Sequence, residues 1–158
     1  MGLAYFYQLS GASLKDTLAM LITKARENGW RVLVRTGAQD RLEWLDKNLW
    51  LGRDADFLPH GIAGGEFDAD QPVLLTTGDE NPNASSCLMA IDAAPVSARE
   101  VNTMQRVCII FDGGDDAHLR AARQQWQELS GAGCGAQYWA QDGAKWVKKQ
   151  TKAAAITD

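Results

Sequence analysis

Three carboxylates crowd into the segment FDGGDDAH, Phe111 to His118, which runs from an apolar strand-like stretch into a helix start. Asp112, Asp115 and Asp116 are hard oxygen donors of the kind that hold Mg²⁺. An Asp at the end of a central strand is a common place for such chemistry in open α/β sheets. A Mg²⁺-dependent phosphohydrolase is therefore one reading. The competing reading is local: Asp115 is a natural N-cap, and Asp116 suits the positive end of a helix. The same carboxylates would repel a phosphate. GAGCG at Gly131 to Gly135 imitates a dinucleotide fingerprint, but its glycines close a helix and precede a strand. A phosphate site needs the reverse order, so that amide donors and the positive helix end meet the anion. The chain has two histidines, His60 and His118, and no GxSxG elbow, so no nucleophilic triad can be read from spacing. His60, after Pro59, is read as orienting its own loop by a hydrogen bond, with a contact role as the alternative. No cofactor and no resident metal is expected.

Two features point to binding rather than catalysis. Arg120 and Arg123 stand at i and i+3 and share one helix flank. They form either a solvated face or a patch for anions, since guanidinium grips carboxylates with two donors. The second feature is LDKNLWLGRDADFLPHG, Leu45 to Gly61, which leads from a helix into a loop carrying Leu49, Trp50, Leu51, Phe57, Leu58, Pro59 and His60. A loop that only connects elements favours small polar turn residues. Exposed Trp and Phe are costly unless they pack under a lid or dock a partner.

The elements that must position these residues alternate. Ala4 to Leu9 reads as a strand. Ser13 is a candidate N-cap for a helix whose stripe is Leu14, Leu18, Leu21, Ile22 and Ala25, closed at Gly29. Trp30 to Thr36 is a strand. Asp40 and Glu43 form a capping box for a helix with Leu42, Leu45 and Leu49 inward. Gly61 to Gln71 reads as irregular. Val73 to Thr77 and Cys87 to Ile91 read as strands, with Asp79, Asn81 and Pro82 suggesting that the two are neighbours. Ser97 and Glu100 box a short helix, and Arg106 to Phe111 is apolar enough for a central strand. Asp115 to Leu129 is a helix burying Leu119, Ala122, Trp126 and Leu129. Gln137 to Gln141 is the last expected strand, with Tyr138 and Trp139 on opposite faces. Lys145 to Lys152 reads as a basic helix or coil. This alternation implies a mostly parallel sheet between helices.

At 158 residues, with 46% hydrophobic and 23% charged residues, one ordinary globular domain is expected, over 1–150, with a polar tail over 151–158. The N-terminus, MGLAYFYQLS, lacks a basic region and reads as a strand rather than a signal peptide, and no apolar run approaches a membrane span, so a cytoplasmic location is expected. Cys87, Cys108 and Cys134 are too scattered for a disulfide frame or a zinc site and read as reduced and buried. A net charge of −4 argues against a dominant nucleic-acid footprint and disfavours a third reading, direct single-strand binding by stacking on the tryptophans beside the basic tail.

YFYQL, KARENGWRVLVRT, LDKNLW, FLPHG, QPVLLT, RVCIIFDGGDD, AARQQWQELSGAG and YWAQDGAKW occur in the order found in the chi subunit of bacterial DNA polymerase III, and the chain resembles that family along nearly its whole length. The resemblance implies one Rossmann-like three-layer α/β domain, a mostly parallel sheet flanked by helices, without a functional nucleotide site. It implies a non-catalytic, clamp-loader-associated subunit that binds the acidic C-terminal tail of single-stranded-DNA-binding protein and, where one exists, the psi subunit. In the family an aromatic wall from the LW and FLPH segments meets basic residues of the helix after FDG. Residue by residue this names Trp50, Phe57 and His60, with Arg123 at the main basic position. The family's second basic position falls at or beside Leu119, so Arg120 is a shifted substitute.

Overall fold

A computed structural model describes residues 3–10, 14–50, 61–142 and 145–152, apart from the side chains of Asn48, Leu49, Trp50, Asp142 and Lys152. Eight strands form one sheet: β1 (Leu3–Leu9), β2 (Val32–Thr36), β3 (Gly61–Ile62), β4 (Val73–Thr76), β5 (Cys87–Ile91), β6 (Arg106–Asp112), β7 (Gly135–Asp142) and β8 (Lys145–Lys152). Their spatial order is β3-β4-β2-β5-β6-β1-β7-β8. All neighbours are parallel except β7 and β8. Among the described residues four α-helices accompany the sheet: α1 (Leu14–Glu27), α2 (Arg41–Trp50), α3 (Ala98–Thr103) and α4 (Asp116–Gly131).

Alternation along the strands splits the core into two layers. Val32, Val34, Met89, Cys108 and Ile110 pack with Leu18, Leu21, Ile22, Leu42 and Leu45, so α1 and α2 cover one face. Leu33, Leu88, Ala90, Val107, Ile109 and Phe111 pack with Val101, Ala122 and Leu129, so α3 and α4 cover the other. Strands buried on both faces read as continuous apolar runs, and RVCIIF in β6 is such a run. The stripe Leu18, Leu21, Ile22 and Ala25 is buried, and Gly29 follows α1 at φ +78°, a value only glycine adopts without strain. Cys87, Cys108 and Cys134 are buried and unbridged. Ser13 lies outside the described residues.

Three expectations are corrected. The segment from Gly61 is not wholly irregular: Gly61 and Ile62 add a short edge strand to β4, and Asp68–Asp70 form a 3₁₀ turn. β4 and β5 are not neighbours, because β2 lies between them and pairs with both. Parallel strands cannot be joined by a tight hairpin. Asn81 instead closes a local turn, its Oδ1 accepting from Ser85 N at 2.9 Å and from Ser85 Oγ at 2.6 Å. Finally, Lys145–Lys152 is neither helix nor coil but the edge strand β8, hairpinned onto β7. Trp146 secures it by packing edge-on to Tyr7 at 5.4 Å, beyond the reach of any local propensity.

Candidate functional site

Helix α4 begins where Asp115 accepts a hydrogen bond from His118 N at 3.1 Å, the N-cap arrangement its sequence predicts. That bond, above all, holds the Asp115 carboxyl below the usual carboxylate range. The helix buries Ala122 and Leu129 against the sheet. Trp126 is only partly buried, meeting Phe6 edge-on at 5.3 Å and Tyr138 at 6.1 Å. Tyr138 donates its hydroxyl proton to Gln8 Oε1 and rests against Phe111 at 5.9 Å. Burial pushes the Tyr138 phenol up, against the opposing pull of the Arg123 charge, so it stays neutral at physiological pH.

Between α4 and the β7–β8 hairpin lies a cavity of about 380 Å³, lined by Arg123, Trp126, Gln127, Tyr138, Lys149 and Gln150. Its size is at the lower end of the roughly 300–1,000 Å³ typical of ligand pockets. It offers two cations, two aromatic surfaces and no carboxylate, on a protein whose net charge is −4. Such a lining suits an anionic group attached to an apolar one, since guanidinium and ammonium can take the charge while the rings take the apolar part.

Arg120 and Arg123 are both exposed, and of the two Arg123 lines this cavity. Phe57, His60 and the Trp50 side chain lie outside the described residues. The elements bracketing them are placed: α2 packs on the sheet face opposite α4, and Gly61 opens β3 at the sheet edge opposite β8. β3 and β7 are six strand spacings apart, roughly 29 Å at about 4.8 Å each.

The carboxyl ends of the strands form a second recess, of about 300 Å³, lined by Leu9, Leu14, Arg41, Asp92, Asp112, Asp115 and His118 among others. Open α/β sheets bind ligands at this end. Here its polar groups are already engaged. Asp92 accepts from Arg41 Nε at 2.9 Å, Arg41 Nη2 at 3.1 Å and Thr36 Oγ1 at 2.8 Å, and Asp112 Oδ1 accepts from Gly114 N at 2.9 Å. The hydrogen bond to Asp92 raises the Arg41 pKa further. Among the described residues no group of three or more His, Cys, Asp and Glu side chains is arranged to hold a metal ion. The GAGCG turn closes α4 and leads into β7, the order that turns the negative helix end toward it.

Sequence reasoning missed Asp92 and Tyr138 as site residues, held Lys149 only as one of a basic tail's lysines, and assigned Trp126 to the core. Asp92 and Ala93 take φ values of 52° and 61° without a glycine to announce the turn. A signal for Lys149 did exist: KWVKKQTK mixes Trp, Val and Thr with lysine, the composition of a half-exposed edge strand.

Fold and cavity together define a mixed α/β domain, its mostly parallel sheet flanked by helices, with an aromatic cleft suited to an anionic partner. Residues 1–137 match the family described as DNA polymerase III chi subunit, HolC, and the chain belongs to that family. It is 27% identical over 111 residues to a probable DNA polymerase III subunit chi of Rickettsia prowazekii (strain Madrid E), covering 67% of each chain. Membership supports an accessory role in DNA replication, as a subunit of DNA polymerase III rather than its catalytic centre. None of the described helices is long and apolar enough to cross a membrane.

Proposed function

We propose that the chain is a cytoplasmic, non-catalytic accessory subunit that ties the clamp-loader side of the polymerase to single-stranded DNA by binding the acidic C-terminal tail of single-stranded-DNA-binding protein. The observation that carries this reading is Arg123, a cation lining an aromatic cavity free of carboxylates on an otherwise acidic molecule. A tail that ends in an apolar residue with a free carboxylate matches both halves of that cavity. Arg120, exposed one turn before Arg123, adds field without contact and favours encounter. A small site of this kind gives roughly micromolar affinity, about −8 kcal/mol, which suits a contact remade along a coated strand.

Trp50, Phe57 and His60 are proposed as the chain's aromatic contact surface. Titrating Trp50→Ala with the same peptide tests whether they share the ligand of Arg123. The test is calorimetry of the whole chain against a short acidic peptide ending in an aromatic residue, with and without its terminal carboxylate. Saturable binding that falls on amidation supports the reading, and its absence sinks it. A phosphohydrolase using Asp112, Asp115 and Asp116 would instead show Mg²⁺-dependent turnover of a generic phosphomonoester.

A further inference from the structure

We infer that Lys149, delivered by a β-bulge in β8, is the second cation of the cavity and makes it selective for a ligand with two negative charges close together. This rests on the reading that the cavity takes an acidic peptide end. In a regular strand consecutive side chains point to opposite faces. Along the β7–β8 hairpin, Tyr138 pairs with Gln150 and Trp139 with Lys148, which leaves Lys149 as an extra residue. A bulge of this kind re-aims a side chain. The result is that two consecutive residues, Lys149 and Gln150, both line the cavity. Arg123 and Trp126 come from the helix wall and Tyr138 and Lys149 from the strand wall, the two rings meeting at 6.1 Å.

Two cations on opposite walls suit two anionic groups a residue or so apart. A peptide terminus supplies these as its main-chain carboxylate and a neighbouring acidic side chain. Arg123, with several donors in a planar fork, suits the carboxylate that can be gripped twice, and Lys149 acts as a point charge for the other. β8 lies beyond the residues matched to the family, 1–137, so this wall belongs to the part of the chain outside that match.

The experiment titrates the whole chain with a short acidic peptide ending in an Asp-Phe pair with a free carboxylate, and with the same peptide carrying Asn for the penultimate Asp. Lys149→Ala should weaken the first peptide about three- to fivefold, the span of a partly exposed ion pair, and Lys149→Arg should restore it. The loss should nearly vanish with the Asn peptide, because the deleted partners are then the same pair. An exposed edge lysine is not needed for folding, and an unchanged melting temperature in Lys149→Ala verifies this. Undiminished affinity in Lys149→Ala, with Arg123→Ala still weak, overturns the Lys149 assignment alone. Absent binding by the wild type, or no loss in Arg123→Ala, overturns the underlying reading. Tighter binding of a single-stranded oligothymidylate than of the peptide, lost in Lys149→Ala, makes the wall a nucleic-acid contact and overturns the inference.

Discussion

Arg35 and Glu100 form a two-pronged ion pair, Nη1 to Oε1 at 3.0 Å and Nη2 to Oε2 at 2.7 Å, although only 1% of the Arg35 side chain is exposed. Arg35 also donates to the carbonyls of Gly78 and Pro95, and Glu100 simultaneously completes the Ser97 capping box of α3. One guanidinium thus joins β2, the turn after β4 and the start of α3. Removing it by Arg35→Met strands a carboxylate and two carbonyls. The expected loss is about 3–5 kcal/mol, the cost of breaking a buried pair from one side. Urea unfolding measures it, and a loss below 1 kcal/mol would show the pair to be dispensable.

The same pair sets a pH dependence. Burial pushes the Glu100 carboxyl up, but the Arg35 and Ser97 hydrogen bonds outweigh it and leave the group below its ordinary value of 4.5. A lowered folded value means that the stabilisation is complete above the ordinary value and fades as pH falls through the folded one. The wild-type urea midpoint should therefore drop below about pH 4.5. Glu100→Gln should be less stable at neutral pH, and its deficit should shrink in acid. A deficit that stays constant from pH 7 to about pH 3 would remove Glu100 as the titrating group.

Arg123→Ala should weaken the acidic peptide by roughly 1.5–3 kcal/mol, the range of a charged hydrogen bond. Wild-type affinity should fall with added salt, since the Debye length is only about 10 Å at 0.1 M. Amidating the peptide should hurt the wild type more than the variant. Equal losses would show that arginine and carboxylate are uncoupled.

Trp50→Ala separates one surface from two. Because α2 packs opposite α4, the substitution should change peptide affinity by less than twofold, about 0.4 kcal/mol, while the protein stays folded by circular dichroism. A loss of roughly 2 kcal/mol or more, as aromatic anchors show, would place Trp50 in the same site as Arg123.

Gly37 is the closest backbone approach at the strand ends: a Cβ there would lie 2.2 Å from the Asp92 carbonyl oxygen. Gly37→Ala should destabilise by about 1–3 kcal/mol through overpacking against a backbone that cannot rotate away. It should leave peptide affinity unchanged, because the cavity at Arg123 lies elsewhere. Calorimetric melting and the same titration check both halves.

Much of the architecture was legible in local chemistry. The period of Leu18, Leu21, Ile22 and Ala25, the box of Ser97 with Glu100, the cap at Asp115 and the apolar run of β6 each encode an element within a few residues. So does the direction of the GAGCG turn. Those signals depend on neighbours in the chain, and the sequence contains all their terms.

What only the tertiary structure decided is what depends on partners far away in the chain. The insertion of β2 between β4 and β5 is a matter of sheet order, which turn residues do not encode. The strand at Lys145–Lys152 exists because β7 offers an edge and Tyr7 a ring for Trp146. Arg123 was singled out from sequence as half of an i, i+3 pair, but its companions in the cavity, Trp126, Tyr138 and Lys149, came from a helix interior, a strand and a supposed coil. Pairing of strands and packing of rings convert those separate positions into one cavity. No periodicity reports that conversion, because it is a property of distances between elements and not of spacing along them.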